Sequence, residues 1–163
     1  SLPSQELQRC QQGGAEITRF STDKDYSDLE LGFEYARRRG FAEVLLVGVL
    51  GGRLDHELLN LFVAARYARE GLAVRVLADE LGGFFMCGPA ASQFAGEAGE
   101  RLSLIPLAAQ CRGVSLQGVR WPLDAADLQF GRALTLSNEL CGGAVSISIT
   151  EGLLLVLRLP AAA

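Results

Sequence analysis

Six consecutive residues, Asp23-Lys24-Asp25-Tyr26-Ser27-Asp28, set three carboxylates and one ammonium close together. Carboxylates this near repel one another unless a cation sits among them, so the run suits a divalent metal. Part of it also has a structural use: Ser27 and Glu30 fit the S-x-x-E capping box, and Asp28 fits a helix start. A first-turn acid contributes only about 0.3–1 kcal/mol, which accounts for Asp28 and leaves Asp23 and Asp25 unexplained. A second run, Gly48-Val49-Leu50-Gly51-Gly52-Arg53-Leu54-Asp55-His56, combines glycines that permit close backbone approach with Arg53, a fork-shaped phosphate ligand. It opens a helix, where free N–H groups attract anions. No G-K-[ST] follows, so it is not a Walker A loop. A tight strand-to-helix turn with an incidental Arg fits the same residues, and His56 reads more simply as a helix-start hydrogen-bonding group than as a base.

The elements that must position these runs are set by periodicity. Residues 16–20 read as a strand. Residues 28–39 read as a helix, with Leu29, Phe33 and Ala36 on one face, Arg37, Arg38 and Arg39 where the helix dipole favours cations, and Gly40 as the stop. Residues 43–47 form a near-continuous apolar run, the pattern of a strand buried on both faces. Residues 54–69 are a second helix, with Leu54, Leu58, Leu61, Phe62 and Ala65 at helical spacing. Residues 73–77 make a third strand. This order predicts a parallel, Rossmann-like βαβαβ unit, and in such a unit both chemical runs emerge at the carboxyl ends of adjacent strands, where open α/β sheets bind ligands. Acids on one loop beside Gly-Gly-Arg on the next suit a divalent metal bound to a polyphosphate.

From about Gly82 the texture changes to short apolar runs separated by glycines. Residues 145–149 alternate strictly apolar and polar, the mark of a half-buried strand. No helix is expected there, so the fold class is α/β plus all-β: an α/β part over residues 1–90, then a small antiparallel sandwich or barrel over 98–160, with the boundary between Pro89 and Glu100. The chain has 163 residues, 19 acidic against 15 Lys plus Arg, for a net charge of −4, so it lacks the basic excess that nucleic-acid binding needs. Its apolar runs fall far short of the roughly 20 residues of a membrane-spanning helix. The opening residues show no signal-peptide pattern, and the four scattered cysteines, Cys10, Cys87, Cys111 and Cys141, read as four buried thiols in a reducing cytoplasm.

The run Asp23 to Leu31, then Gly51-Gly52-Arg53-Leu54-Asp55-His56, then Asn60, resembles the thiamine pyrophosphokinase family, which carries D-x-D-x-[ST]-D followed by G-G-R-x-D-H and an Asn on the same helix. Ile105-Pro106-Leu107, Gly118-Val119-Arg120-Trp121-Pro122-Leu123 and Ser137-Asn138-Glu139 resemble its thiamine-binding β domain in content and order. The resemblance implies transfer of diphosphate from ATP to thiamine, with Mg2+ as cofactor, in a cytoplasmic homodimer with thiamine at the interface. It also implies that Asp28 is a magnesium ligand and that Asp28, Arg53 and Asp55 are catalytic. Lys24, Asp25, Gly51, Gly52 and His56 would attend the nucleotide, and Trp121, Ser137 and Asn138 the thiamine. The family's G-D-x-D-S motif is absent, and the residues from Ser1 onward resemble the stretch just after that motif. The chain therefore resembles a C-terminal fragment, expected to be poorly active alone. A non-catalytic thiamine-binding or dimerisation module is the alternative.

Overall fold

A computed structural model describes residues 4–18 and 26–161. Among the described residues three helices, α1 (Ser4–Gln12), α2 (Asp28–Arg38) and α3 (Leu54–Arg69), accompany ten strands. The first two strands are β1 (Glu43–Val47) and β2 (Ala73–Ala78). They are followed by β3 (Leu81–Cys87), β4 (Ala90–Gly96), β5 (Arg101–Pro106) and β6 (Gln110–Gln117), then by β7 (Leu123–Gln129), β8 (Asn138–Glu139), β9 (Gly143–Ile149) and β10 (Leu153–Leu159). They form a six-stranded sheet in the order β1-β2-β3-β10-β5-β8 and a four-stranded sheet in the order β4-β9-β6-β7.

Local signals set the helical half. Ser27 and Glu30 close a reciprocal capping box at the start of α2. Gly40 (φ +74°) and Gly71 (φ +94°) follow α2 and α3 in left-handed conformations that side chains resist. β1 and β2 are parallel, in register from Glu43↔Ala73 to Val47↔Leu77, with α3 as their crossover. Every other pairing is antiparallel, beginning with the β2–β3 hairpin.

The strand β10 shows how the layers are assembled. Leu153 and Leu155 face the helices, in a core with Leu46, Val74, Val76, Phe85, Val63 and Ala64. Phe33 and Tyr67 stack there with ring centroids 4.4 Å apart, joining α2 to α3. Leu154 and Val156 face the four-stranded sheet, in a core with Leu102, Leu104, Leu116, Val145 and Ile147. Helices α2 and α3 thus cover one face of the large sheet, and the small sheet covers the other from β3 outward.

Several expectations are corrected. Residues 16–18 form no strand, and 19–20 lie outside the described residues; Glu16 instead accepts from the Tyr35 hydroxyl on α2 at 3.3 Å. The described residues therefore contain one parallel βαβ unit, β1–α3–β2, rather than two. β1 is not buried on both faces: Leu46 faces the helices, but Leu45 is 55% and Val47 66% exposed on the opposite face, beyond the reach of the small sheet. In α3 the buried face is Val63, Ala64, Ala65, Tyr67 and Ala68, whereas Leu54, Leu58 and Phe62 are exposed, because the helix packs on the sheet through its second half. Only Cys111 is a buried thiol. Cys10, Cys87 and Cys141 are exposed, lying on a polar helix, at a strand end and beside a glycine turn.

Candidate functional site

Contacts between the helices fix where the two chemical runs stand. Glu30 pairs with Arg66 at 3.0 Å, Glu34 accepts from the Tyr67 hydroxyl at 2.8 Å, and Arg37 pairs with Glu70 at 2.9 Å. Later residues of α2 meet later residues of α3, so the helices run in the same direction. Because α3 is the crossover between parallel strands, both helices run from the carboxyl end of β1 and β2 toward their amino end, and α3 starts at the carboxyl end. The same contacts set the α2 start back beside the middle of α3, about two helical turns or ~11 Å short of its first residue. Asp28 is therefore set back from Arg53 along the helix direction, beside the middle of α3. Asp28 opens α2 and lines a shallow depression with Glu16 and Tyr35. Lys24 and Asp25, with Asp23, lie outside the described residues.

The β1–α3 loop is held by α3 itself. Gly48 (φ +71°) and Gly51 (φ +92°) turn the chain. Asn60 donates its Nδ2 to the Val49 carbonyl at 3.1 Å, and the Gly52 N–H donates to the Glu57 carboxylate. Arg53, at the N-cap position, grips Asp55 with both arms of its guanidinium, Nε to Oδ1 at 3.2 Å and Nη2 to Oδ2 at 2.6 Å. Asp55 also accepts the His56 N–H at 3.1 Å. The Arg53 fork, and then that backbone N–H, hold its carboxyl below the usual carboxylate range. An exposed Arg thus stands at a helix entry, oriented by a carboxylate that remains charged, and can receive a further anion. Among the described residues no three His, Cys, Asp or Glu side chains group closely enough to hold a metal.

The β half brings its three candidates together. Trp121 sits in the turn between β6 and β7 and is 52% exposed. Asn138 on β8 accepts the Trp121 N–H at 3.1 Å and donates to the Trp121 carbonyl at 2.7 Å. Ser137 is held in a left-handed turn (φ +56°), its N–H donating to the buried Ser103 hydroxyl at 2.9 Å. Sequence reasoning passed over Glu57 and Arg120. The first could have been found as an acid one turn into a glycine-led helix, the second as the residue beside the tryptophan.

Parallel strands with an exposed Arg at a helix entry, joined to a β-rich sandwich bearing a clamped aromatic turn, define an α/β-plus-β protein. Residues 1–76 match the pattern of "Thiamin pyrophosphokinase, catalytic domain" and residues 93–154 that of "Thiamin pyrophosphokinase, vitamin B1 binding domain". The chain belongs to the thiamine pyrophosphokinase family. It is 25% identical over 159 residues to a thiamine pyrophosphokinase of Bacillus subtilis, covering 97% of this chain and 74% of that protein. A rice relative, thiamine pyrophosphokinase 1, is 28% identical over 155 residues, covering 90% of this chain and 58% of its own length. The crystal structure of the Bacillus subtilis enzyme superposes with a TM-score of 0.85 at 24% identity, covering 98% of this chain and 75% of that one. That of Candida albicans thiamin pyrophosphokinase gives 0.75 at 10%, covering 98% and 70%. At these identities the superpositions establish the fold.

Proposed function

We propose that this chain is a thiamine diphosphokinase whose first half, a Rossmann-like nucleotide-binding unit over residues 1–90, takes ATP, and whose β half over residues 98–160 takes thiamine. The thiamine hydroxyl oxygen attacks the β-phosphorus of ATP, the bond to the α-phosphate oxygen breaks, and the hydroxyl proton is released. The products are thiamine diphosphate and AMP. Such a transfer is carried mainly by positioning and charge neutralisation. Arg53 supplies positive charge beside the Gly51-Gly52 turn, with Asp55 orienting its guanidinium, and the family resemblance assigns Lys24 and Asp25 to the nucleotide. His56 contributes its place at the helix entry, where its N–H tethers Asp55.

Magnesium takes one or two protein carboxylates and fills its other positions from water and phosphate. A single helix-start acid, Asp28, fits that need and would hold the ion, whose chemistry is to neutralise phosphate charge. On the thiamine side, Asn138 is bonded to the Trp121 backbone and Ser137 precedes it in the chain. A homodimer with thiamine between the subunits fits the exposed apolar side chains on both halves: Leu54, Leu58 and Phe62 beside the Gly-Gly-Arg loop, and Phe130, Leu134 and Leu136 in the β half. No helix among the described residues is long and apolar enough to cross a membrane, and a cytoplasmic location goes with this reading.

The observation that carries the proposal is the exposed Arg53–Asp55 fork at the start of α3, beside the Gly51-Gly52 turn. Its test is chromatographic. The purified chain, given ATP, Mg2+ and thiamine, is expected to produce AMP and thiamine diphosphate in equal amounts at a low rate, and Arg53→Ala to lower both further. Heat of thiamine binding with none for magnesium-ATP would instead favour the non-catalytic module.

A further inference from the structure

The β6–β7 turn carries the chain's single tryptophan, and two neighbouring side chains are committed to it. Asn138 is 5% exposed. Its Oδ1 accepts the N–H groups of Trp121 and Glu139, at 3.1 and 2.9 Å, and its Nδ2 donates to the Trp121 carbonyl at 2.7 Å. An amide oxygen offers two lone pairs, so Oδ1 is fully used and one Nδ2 hydrogen remains. A side chain so engaged acts on the turn and not directly on a ligand. Arg120 serves the ring. Its guanidinium carbon lies 4.7 Å from the indole centroid, its Nη1 is tied to Glu139 Oε2 at 2.9 Å, and its backbone N–H donates to the Glu139 carbonyl at 2.8 Å. The indole is thus fixed twice, through its backbone by Asn138 and through one face by a planar cation.

We propose that Arg120 and Asn138 are positioning residues that hold Trp121 as a one-faced stacking platform for thiamine; the inference rests on the thiamine reading of the β half. Arg120 covers one face and stops the ring from rotating, so a flat ligand meets the other. Glu139 cancels the guanidinium charge, so a ligand that carries a cationic ring is not repelled by it. Without that carboxylate the platform disfavours a charged ring relative to a neutral one of the same shape.

Because Trp121 is the only tryptophan, indole emission reports on this turn alone, with and without ligand. In the ligand-free protein, Arg120→Ala is expected to raise quenching by acrylamide roughly twofold, one of two faces being uncovered, and Arg120→Lys to restore part of the shielding. Thiamine, titrated into the wild-type protein, is expected to quench the emission. Its affinity falls roughly three- to fivefold in Arg120→Ala and roughly tenfold in Asn138→Ala. Glu139→Gln weakens thiamine more than a neutral aminopyrimidine. No quenching of the wild-type protein by thiamine overturns the thiamine reading of this turn. Wild-type quenching with unchanged or tighter thiamine binding in Arg120→Ala, or unchanged acrylamide access in that variant, overturns the positioning role while leaving the thiamine reading intact. Arg120 is exposed, so its substitution leaves a folded protein to measure even where Asn138→Ala does not.

Discussion

Strands β1 and β10 lie in one sheet, both are runs of Leu and Val, and their surroundings differ. β10 is sandwiched: Leu153 and Leu155 pack against the helices while Leu154 and Val156 pack against the small sheet. Among the described residues β1 is an edge strand covered on the helical side only, with Leu45 and Val47 open on the other. The contrast shows that an apolar run specifies extended structure, whereas its burial is decided by what the topology lays over each face. It also separates tasks. The doubly covered end supplies stability, and the singly covered end carries the glycine loop and Arg53.

The comparison can be broken most directly by truncating equivalent leucines. Leu154→Ala is expected to cost about 3 kcal/mol, transfer and cavity terms together, whereas Leu45→Ala stays within about 0.5 kcal/mol. Urea unfolding measures both, and equal losses would erase the distinction. At the open end, Arg53→Ala should weaken magnesium-ATP roughly tenfold, as expected for loss of a charge-assisted contact. The same change should alter stability by less than about 0.5 kcal/mol, since the Arg53–Asp55 pair is exposed; calorimetric titration and urea unfolding separate the two effects. On the seam between the helices, Tyr67→Phe keeps the ring stack and removes the hydroxyl that donates to Glu34, for a loss of about 1 kcal/mol in the same unfolding assay.

The smallest effect is in pH. Glu30, through the Ser27 N–H first, and Glu34, through the Tyr67 hydroxyl first, have carboxyls held below their ordinary value of 4.5. Groups depressed in the folded state stabilise it fully above that value and lose the contribution as pH falls through the lower folded values. The urea midpoint should therefore decline below about pH 4.5, and Glu34→Gln should flatten the decline.

Much of the helical half was legible because its signals are local. The capping box at Ser27 and the glycines after α2 and α3 act within a turn or two of the chain, and β1 and α3 have the bounds that periodicity gives. The exposed face of β1, the solvent-facing Leu54, Leu58 and Phe62, and the missing strand at residues 16–18 depend on which elements come to lie alongside, information that periodicity does not contain. In the site, the Gly-Gly-Arg turn was visible as a motif. The burial of Asn138 beneath the tryptophan turn was not, since the two residues are 17 positions apart and meet through the isolated Val119↔Leu140 bridge, a long-range pairing.

The β2–β3 hairpin, closed by Asp79 and Glu80 between Ala78 and Leu81, carries one consequence beyond the placement of ligands. It welds the parallel strands to the antiparallel ones with a continuous hydrogen-bonded ladder instead of a linker, so neither portion can melt without tearing the other's edge. Heating should accordingly give a single calorimetric peak whose van't Hoff and measured enthalpies agree, and a ligand gripped by either portion should raise the melting point of both.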